Sequence, residues 1–256
     1  MSYSLKLALI SLLTLIVGPF VIALAPFDRQ GRRAYSLARL WTDAILKISG
    51  VRLKVQGLER LDAGRPYIFL ANHQSYIDIP ALVEALSQFQ LRLIAKKELA
   101  WFPVFGWALR LSKHIMIDRS GRAHAMTSLR RAKEKISQGF SVVIFPEGTR
   151  GRTSGVLPFK RGGFVLGVMA QVPIVPVTIV GSGKILPRGD WRIRKGEIEI
   201  VVDEPIVIER QDLKNLGQLS TRVRAVILSR LNGASDARSL DAVTEGKRSG
   251  EARAQG

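Results

Sequence analysis

Leu7 to Phe27 is a run of 21 residues without a charge, in which Ser11 and Thr14 carry the only hydroxyls. As one helix it would reach about 31 Å, the thickness of a bilayer's hydrocarbon core. Only Lys6 precedes the run, whereas Arg29, Arg32 and Arg33 follow it. The positive-inside bias then puts the rest of the chain on the cytoplasmic side of the cell's inner membrane. Ala23-Leu24-Ala25 resembles a signal-peptide cleavage box, but Pro26 stands just after the cut and the charge lies on the wrong side. A third reading lets Gly18-Pro19 break the helix, so that the segment dips into one leaflet. The spanning reading is preferred, with residues 1–28 as a membrane anchor.

Residues 29–49 form an amphipathic pattern. Leu37, Leu40, Trp41, Ala44, Ile45 and Ile48 recur at helical spacing, and Gly50 ends the stretch. Such a helix fits a membrane surface or a core face equally well. Short strands and helices then alternate. Strands are expected at Val51–Val55, Tyr67–Ala71, Leu91–Ala95, His114–Ile117, Ser141–Phe145, Ile174–Val180 and Ile198–Val202. Helices are expected at Ile79–Leu86, Arg122–Gln138, Gly163–Gln171 and Leu213–Leu231. This rhythm predicts an α/β fold: a mixed, largely parallel central sheet flanked by helices, behind an N-terminal membrane-anchoring helical segment. Residues 50–232 are read as the main α/β domain and 233–256 as a disordered tail, poor in large apolar residues.

The tail's four basic and four acidic residues cancel, so the whole formal charge of +18 lies upstream. That charge points to an acidic partner: an anionic membrane, an acidic protein or nucleic acid. The chain has no cysteine, which excludes disulfides, thiolate metal sites and a cysteine nucleophile.

Asn72-His73-Gln74-Ser75-Tyr76-Ile77-Asp78 follows an apolar strand. On one continuous helix His73 and Asp78 would stand roughly 140° apart and could not meet. They cooperate only if the chain turns between them, with Asp78 capping the next helix and its carboxylate folding back; Pro80 just inside that helix agrees. Asp78 would then hold one imidazole nitrogen while the other takes a proton from an alcohol. A surface histidine beside a helix cap is the bland alternative.

Ser141–Arg150 runs from a buried strand into Pro146-Glu147-Gly148-Thr149-Arg150. Ligands of open α/β sheets gather at the C-terminal ends of strands, and Arg150 can grip a phosphate bidentately. Glu147 is expected to orient Arg150 or to accept from a substrate hydroxyl. Lys160-Arg161-Gly162-Gly163 opens a helix, which suits an anion. A turn followed by a solvated basic patch would look the same. Lys96-Lys97 with Leu99, Trp101, Phe102 and Phe105 suits a groove or membrane-facing surface for an acyl chain, although aromatic runs are more often core. Arg119 after Ile117-Asp118 is a further candidate phosphate contact. His114 and His124 read as structural or surface residues. No P-loop, nucleophile elbow or metal-ligand cluster is present in the sequence, and Ser75 lacks any device to make it a nucleophile.

Taken together, four segments resemble the glycerolipid acyltransferase family, within it the 1-acylglycerol-3-phosphate O-acyltransferases. They are Asn72-His73…Asp78; Lys97-Glu98-Leu99…Pro103…Gly106 through Ile117-Asp118-Arg119; Phe145–Arg150 with Phe159-Lys160-Arg161-Gly162; and Ile174-Val175-Pro176-Val177. They span about residues 67–180, in the family's order. The resemblance implies that His73, oriented by Asp78, deprotonates the acceptor's free sn-2 hydroxyl. That oxygen attacks the thioester of acyl carrier protein or acyl-CoA directly, forming phosphatidic acid. Glu147, Gly148 and Arg150, with Lys160, Arg161, Arg119 and Lys97, would hold the acceptor. It implies no metal and no cofactor beyond the donor substrate, with membrane lipids and the donor carrier as partners. The same chemistry could serve lyso-ornithine lipid, another lysophospholipid or glycerol 3-phosphate. A non-catalytic lipid- or nucleic-acid-binding protein is the rival from another class, although no recognised nucleic-acid reader is present.

Overall fold

The computed structural model describes residues 1–118, 120–151 and 155–234. Seven strands form one sheet: β1 (Val51–Gln56), β2 (Ile68–Ala71), β3 (Leu91–Lys96), β4 (Ile115–Ile117), β5 (Ser141–Ile144), β6 (Ile174–Val180) and β7 (Gly196–Val202). Their spatial order is β1-β7-β6-β2-β5-β3-β4. Every neighbouring pair is parallel except β6 with β7. The expected strands are all present, and their bounds shift by one or two residues where backbone pairing ends.

The alternation of strand side chains divides the core between two faces. Phe69, Val143, Val175 and Val177 face one way. There they meet α2 (Arg32–Ser49) and α3 (Asp78–Ala85) through residues such as Ile45, Leu46, Ala81 and Leu82. Ile68, Leu70, Val142, Ile144 and Ile174 face the other way. They are covered by α5 (Arg122–Ser137), α6 (Gly162–Ala170) and a last helix, α8, at 216–234. The result is three layers, helices on both sides of a buried sheet. Two short helices, α4 (Phe105–Leu111) and α7 (Ser182–Ile185), have no counterpart among the sequence expectations.

Pro176 sits in the central strand β6, not at an edge, because its missing N–H costs nothing there. Ile174, on the same side of the strand, donates to Ile206 across an isolated bridge, while the β7 ladder begins only at Val177. Pro176 lies in the gap between them.

The apolar N-terminal run is one helix, α1 (Tyr3–Leu24), capped by the Ser2 hydroxyl; with the short 3₁₀ turn Ala25–Phe27 it is long and apolar enough to cross a membrane. Gly18-Pro19 does not break it. Its length lies against the rest of the protein. Lys6, expected as a flanking charge, is 7% exposed, and its ammonium donates to the Ser49 and Ile193 carbonyls at 2.7 and 3.2 Å. Ser49 closes α2, whose C-terminal dipole favours a cation. Leu7, Ile10 and Leu13 pack on the first core, and the Trp41 indole donates to Thr14 at 3.0 Å. Near the other end Val104, at φ 61°, reaches over Gly18. A Cβ on Gly18 would come within 2.3 Å of the Val104 Cγ1, so only glycine lets the two segments close. The outward face of α1 stays apolar and exposed at Leu12, Leu15, Ile16 and Phe20.

Of the tail expected at 233–256, residues 233 and 234 belong to α8, and 235–256 lie outside the described residues.

Candidate active site

β2 ends at Ala71, and Asn72 fastens the loop beyond it. The Asn72 side chain accepts the Ile179 N–H at 2.7 Å and donates to the Ile179 carbonyl at 2.9 Å, replacing a ladder rung between β2 and β6. The chain then turns, as the spacing of His73 and Asp78 required. Ser75 is fully buried; its hydroxyl donates to the Leu186 carbonyl at 2.7 Å and accepts from the Ile77 amide. It braces the turn and has no path to act as a nucleophile.

Eight residues are too few for α3 to be stable alone, so burial of Ala81, Leu82 and Ala85 holds it. That packing places Asp78. The expected cap is off by one position: Ile77 is the N-cap, and Asp78 is the first helical residue. Its carboxylate points back over the preceding turn. Asp78 Oδ2 lies 2.8 Å from His73 Nδ1 and accepts the Gln74 and Ser75 amides, each also at 2.8 Å. Asp78 has no exposure, so these bonds act in a dry surrounding. With Nδ1–H held by the carboxylate, the neutral imidazole keeps its lone pair on Nε2. The ring also stacks on Phe145, centroids 3.9 Å apart, which fixes its plane.

Glu147 supports the same loop from below. Its Oε1 accepts the His73 N–H and its Oε2 the Leu157 N–H, both at 2.8 Å. Both oxygens serve backbone amides, and no bond to Arg150 forms; the expected orienting role is replaced by a scaffold role. Burial pushes the Glu147 carboxyl above its usual range, and the two amides oppose that rise. Gly148 turns the loop at φ 71°, a conformation that favours glycine. Glu147→Gln would set an NH₂ against one of those amides, leaving it unpaired at a cost of about 1–3 kcal/mol. The expected outcome is a melting temperature lower by roughly 2–10 °C, read by thermal denaturation, with reduced turnover because His73 loses its backbone support.

The Arg150 guanidinium lies 3.5 Å from the centroid of Tyr76, and Tyr76 stacks on Trp191. The Arg150 carbonyl accepts from Arg188 at 2.8 Å, which brings a second guanidinium to the same rim. These residues and His73 edge a cavity of about 680 Å³, within the range of small-molecule sites. Its long walls are apolar and come from α1 (Leu7, Ile10, Val17), α2 (Trp41, Ile45) and the segment carrying Leu99 and Phe105. α1, α2 and the α/β unit therefore share one cavity.

The other expected site residues fall elsewhere. Lys97 pairs with Asp118 at 2.9 Å and does not line the cavity. Lys160 and Arg161 are exposed at the start of α6; the Lys160 amide donates to the Pro146 carbonyl, which ties them to the Glu147 loop. Arg119 lies outside the described residues. Trp101 and Phe102 point outward, 82% and 57% exposed, while Leu99 and Phe105 of the same motif face the cavity. Phe145, expected as the end of a strand, is the platform under the His73 ring. Nothing in the sequence marks Arg188 or Trp191 as site residues, and only the fold brings them beside His73 and Arg150; Tyr76 lies within the Asn72–Asp78 segment, where the sequence assigns it no role. No cluster of metal-ligating residues occurs among the described residues.

The arrangement offers a proton acceptor at one end of an apolar cavity beside two guanidiniums. A family model described as Acyltransferase matches residues 52–180. The chain is 32% identical to the human 1-acyl-sn-glycerol-3-phosphate acyltransferase alpha, over 82% of this chain and 75% of that protein. It is 32% identical to the 1-acyl-sn-glycerol-3-phosphate acyltransferase of Pseudomonas aeruginosa, over 80% and 79%. A chloroplastic Brassica napus enzyme of the same name is 33% identical, and the chain spans 59% of its length, less than two thirds, as with the Arabidopsis thaliana and Chlamydomonas reinhardtii relatives. The crystal structure of the 1-acyl-sn-glycerophosphate acyltransferase PlsC from Thermotoga maritima superposes with a TM-score of 0.72 at 25% identity, covering 91% of this chain and 98% of that one.

Proposed function

The chain belongs to the acyltransferase family, and from that premise we propose that it transfers an acyl chain from a thioester to the free sn-2 hydroxyl of 1-acylglycerol 3-phosphate, yielding phosphatidic acid. The observation that carries this reading is the His73–Asp78 pair at the rim of a long apolar cavity. The Nε2 lone pair takes the proton of the acceptor hydroxyl as its oxygen attacks the thioester carbonyl. Asp78 stabilises the imidazolium that forms. The carbon–sulfur bond then breaks, and the proton on Nε2 goes to the departing thiolate. No acyl-enzyme is needed, in keeping with a chain without cysteine and with a Ser75 that is fully engaged. General-base catalysis contributes about 10²–10⁴-fold, and the cavity supplies positioning.

Arg150 and Arg188 are assigned to the acceptor phosphate, with Gly148, Lys160 and Arg161 beside them. Arg150 is pre-oriented by Tyr76, so little side-chain freedom is lost on binding. Arg150→Ala is expected to raise the acceptor KM about tenfold or more, the value of one charge-assisted contact, with little change in the donor KM. Steady-state kinetics with each substrate varied in turn checks this, and equal effects on both would refute the assignment. Lys97 is assigned to holding the Asp118 segment.

The outward face of α1 is assigned to lipid. Both ends of α1 are docked on one globular unit, through Lys6 at one end and Gly18 with Val104 at the other. That favours a helix dipping into the near leaflet, with the catalytic unit on the cytoplasmic face of the inner membrane, over one crossing to the far side. The +18 charge suits anionic lipid, substrate phosphate and an acidic carrier protein or CoA as donor. Labelled donor offered with 1-acylglycerol 3-phosphate, lyso-ornithine lipid, other lysophospholipids and glycerol 3-phosphate, with product identified by mass, tests the acceptor. Phosphatidic acid as the main product supports the reading; exclusive use of another acceptor would replace it.

A further inference from the structure

Residues 186–195, between α7 and β7, cross the rim of the cavity as a strap fixed at several points. The Leu186 carbonyl accepts the Ser75 hydroxyl from the His73 turn at 2.7 Å. Arg188 donates to the Arg150 carbonyl at 2.8 Å. The Ile193 carbonyl accepts the Lys6 ammonium at 3.2 Å, and the Arg194 amide donates to the Ile185 carbonyl at 2.9 Å. Asp190 holds the bend between these ties. Its Oδ1 accepts the Arg192 amide and Nε at 2.9 and 3.0 Å, and its Oδ2 accepts from Arg194 at 2.9 Å.

Trp191 follows directly on Asp190, lines the cavity and is 60% exposed, so it has little burial to contribute to the fold. Its ring partner is Tyr76, from the turn between His73 and Asp78. The two planes lie 22° apart with centroids 5.8 Å apart, an offset stack. The Arg150 guanidinium lies 3.5 Å from the centroid of the same Tyr76 ring. At that height it covers one face of the phenol, which leaves the indole the other. The order across the rim is indole, phenol, guanidinium, one side chain from each of three separate segments. Tyr76 is itself 48% exposed, so without the indole its ring is free to swing. Arg150 would then lose the ring face that attracts its charge.

We infer that Trp191 is a positioning residue for the acceptor phosphate: it backs the Tyr76 ring, and that ring holds Arg150 in its binding orientation. The inference rests on the assignment of Arg150 to that phosphate. A guanidinium fixed before binding loses less freedom on binding, so the stack acts on acceptor affinity. The His73 ring is held separately, by Asp78 and Phe145, so the chemical step should not follow.

The test measures kcat and both KM values for the full chain in wild type, Trp191→Leu, Trp191→Phe, Arg150→Ala and the Trp191→Leu, Arg150→Ala double variant. Leucine keeps apolar bulk but cannot stack. Trp191→Leu is expected to raise the acceptor KM about 2–12-fold, the value of one aromatic pair, with kcat and the donor KM unchanged. Trp191→Phe should recover most of the loss. In the Arg150→Ala background Trp191→Leu should add nothing, because the group it positions is gone. An effect of Trp191→Leu that persists undiminished in that background would make Trp191 an independent contact and overturn the inference. No rise in acceptor KM, an equal rise in donor KM, no recovery with phenylalanine, or a melting temperature far below wild type would overturn it too. In each of those cases a raised acceptor KM in Arg150→Ala alone leaves the phosphate assignment standing. If Arg150→Ala itself keeps the wild-type acceptor KM, that assignment fails and the inference falls with it.

Discussion

Replacing His73 with alanine is expected to slow acyl transfer by about 10²–10⁴-fold at saturating substrate, with the protein still folded and membrane-bound. The side chain is 14% exposed and edges the cavity, so its loss opens space at a rim and creates no void in the core. Asp78 keeps its two backbone amides, and Asn72 still ties the loop to β6. Stability should therefore change far less than turnover. Turnover measured beside a thermal melt separates the two, and near-wild-type turnover would remove His73 from the role of base.

Asp78 differs because it carries both chemistry and structure. Asp78→Ala would leave the Gln74 and Ser75 amides and His73 Nδ1–H without their acceptor. The two backbone amides alone cost roughly 2–6 kcal/mol, a large part of the 5–15 kcal/mol typical of a whole domain. This variant is expected to unfold or to melt far below the wild type. Asp78→Asn keeps an oxygen in nearly the same place, so the turn should survive with a smaller loss. It removes the negative charge that supports the imidazolium, and turnover should fall about as far as in His73→Ala. Denaturation and turnover of both variants check the pair. An Asn variant as active as wild type would reduce Asp78 to a structural residue.

Much of this was legible in the sequence for definite reasons. Apolar runs such as Val142–Ile144 and Ile174–Val180 have no polar face, so they could only be strands buried on both sides. The separation of His73 and Asp78 forbade a shared helix, so a turn between them followed from geometry. Other features were not legible, because they depend on distant segments. Glu147 reads as a partner for Arg150, three residues on in the same motif, yet its acceptors face amides at 73 and 157. Lys6 reads as a flanking charge, since nothing nearby shows that the Ser49 and Ile193 carbonyls await it. Arg188 and Trp191 belong to no motif and reach the rim only because α7 and the loop after it return over the cavity.

The central claim is direct transfer to a hydroxyl activated by His73, and thiol release is its most direct readout. The purified protein is given a long-chain acyl thioester with and without 1-acylglycerol 3-phosphate, and free thiol is followed from the first turnover. The account predicts thiol release only when the acceptor is present, matched by phosphatidic acid and lost in His73→Ala. A stoichiometric burst of thiol without acceptor, or acceptor-dependent release that persists in His73→Ala, would contradict it.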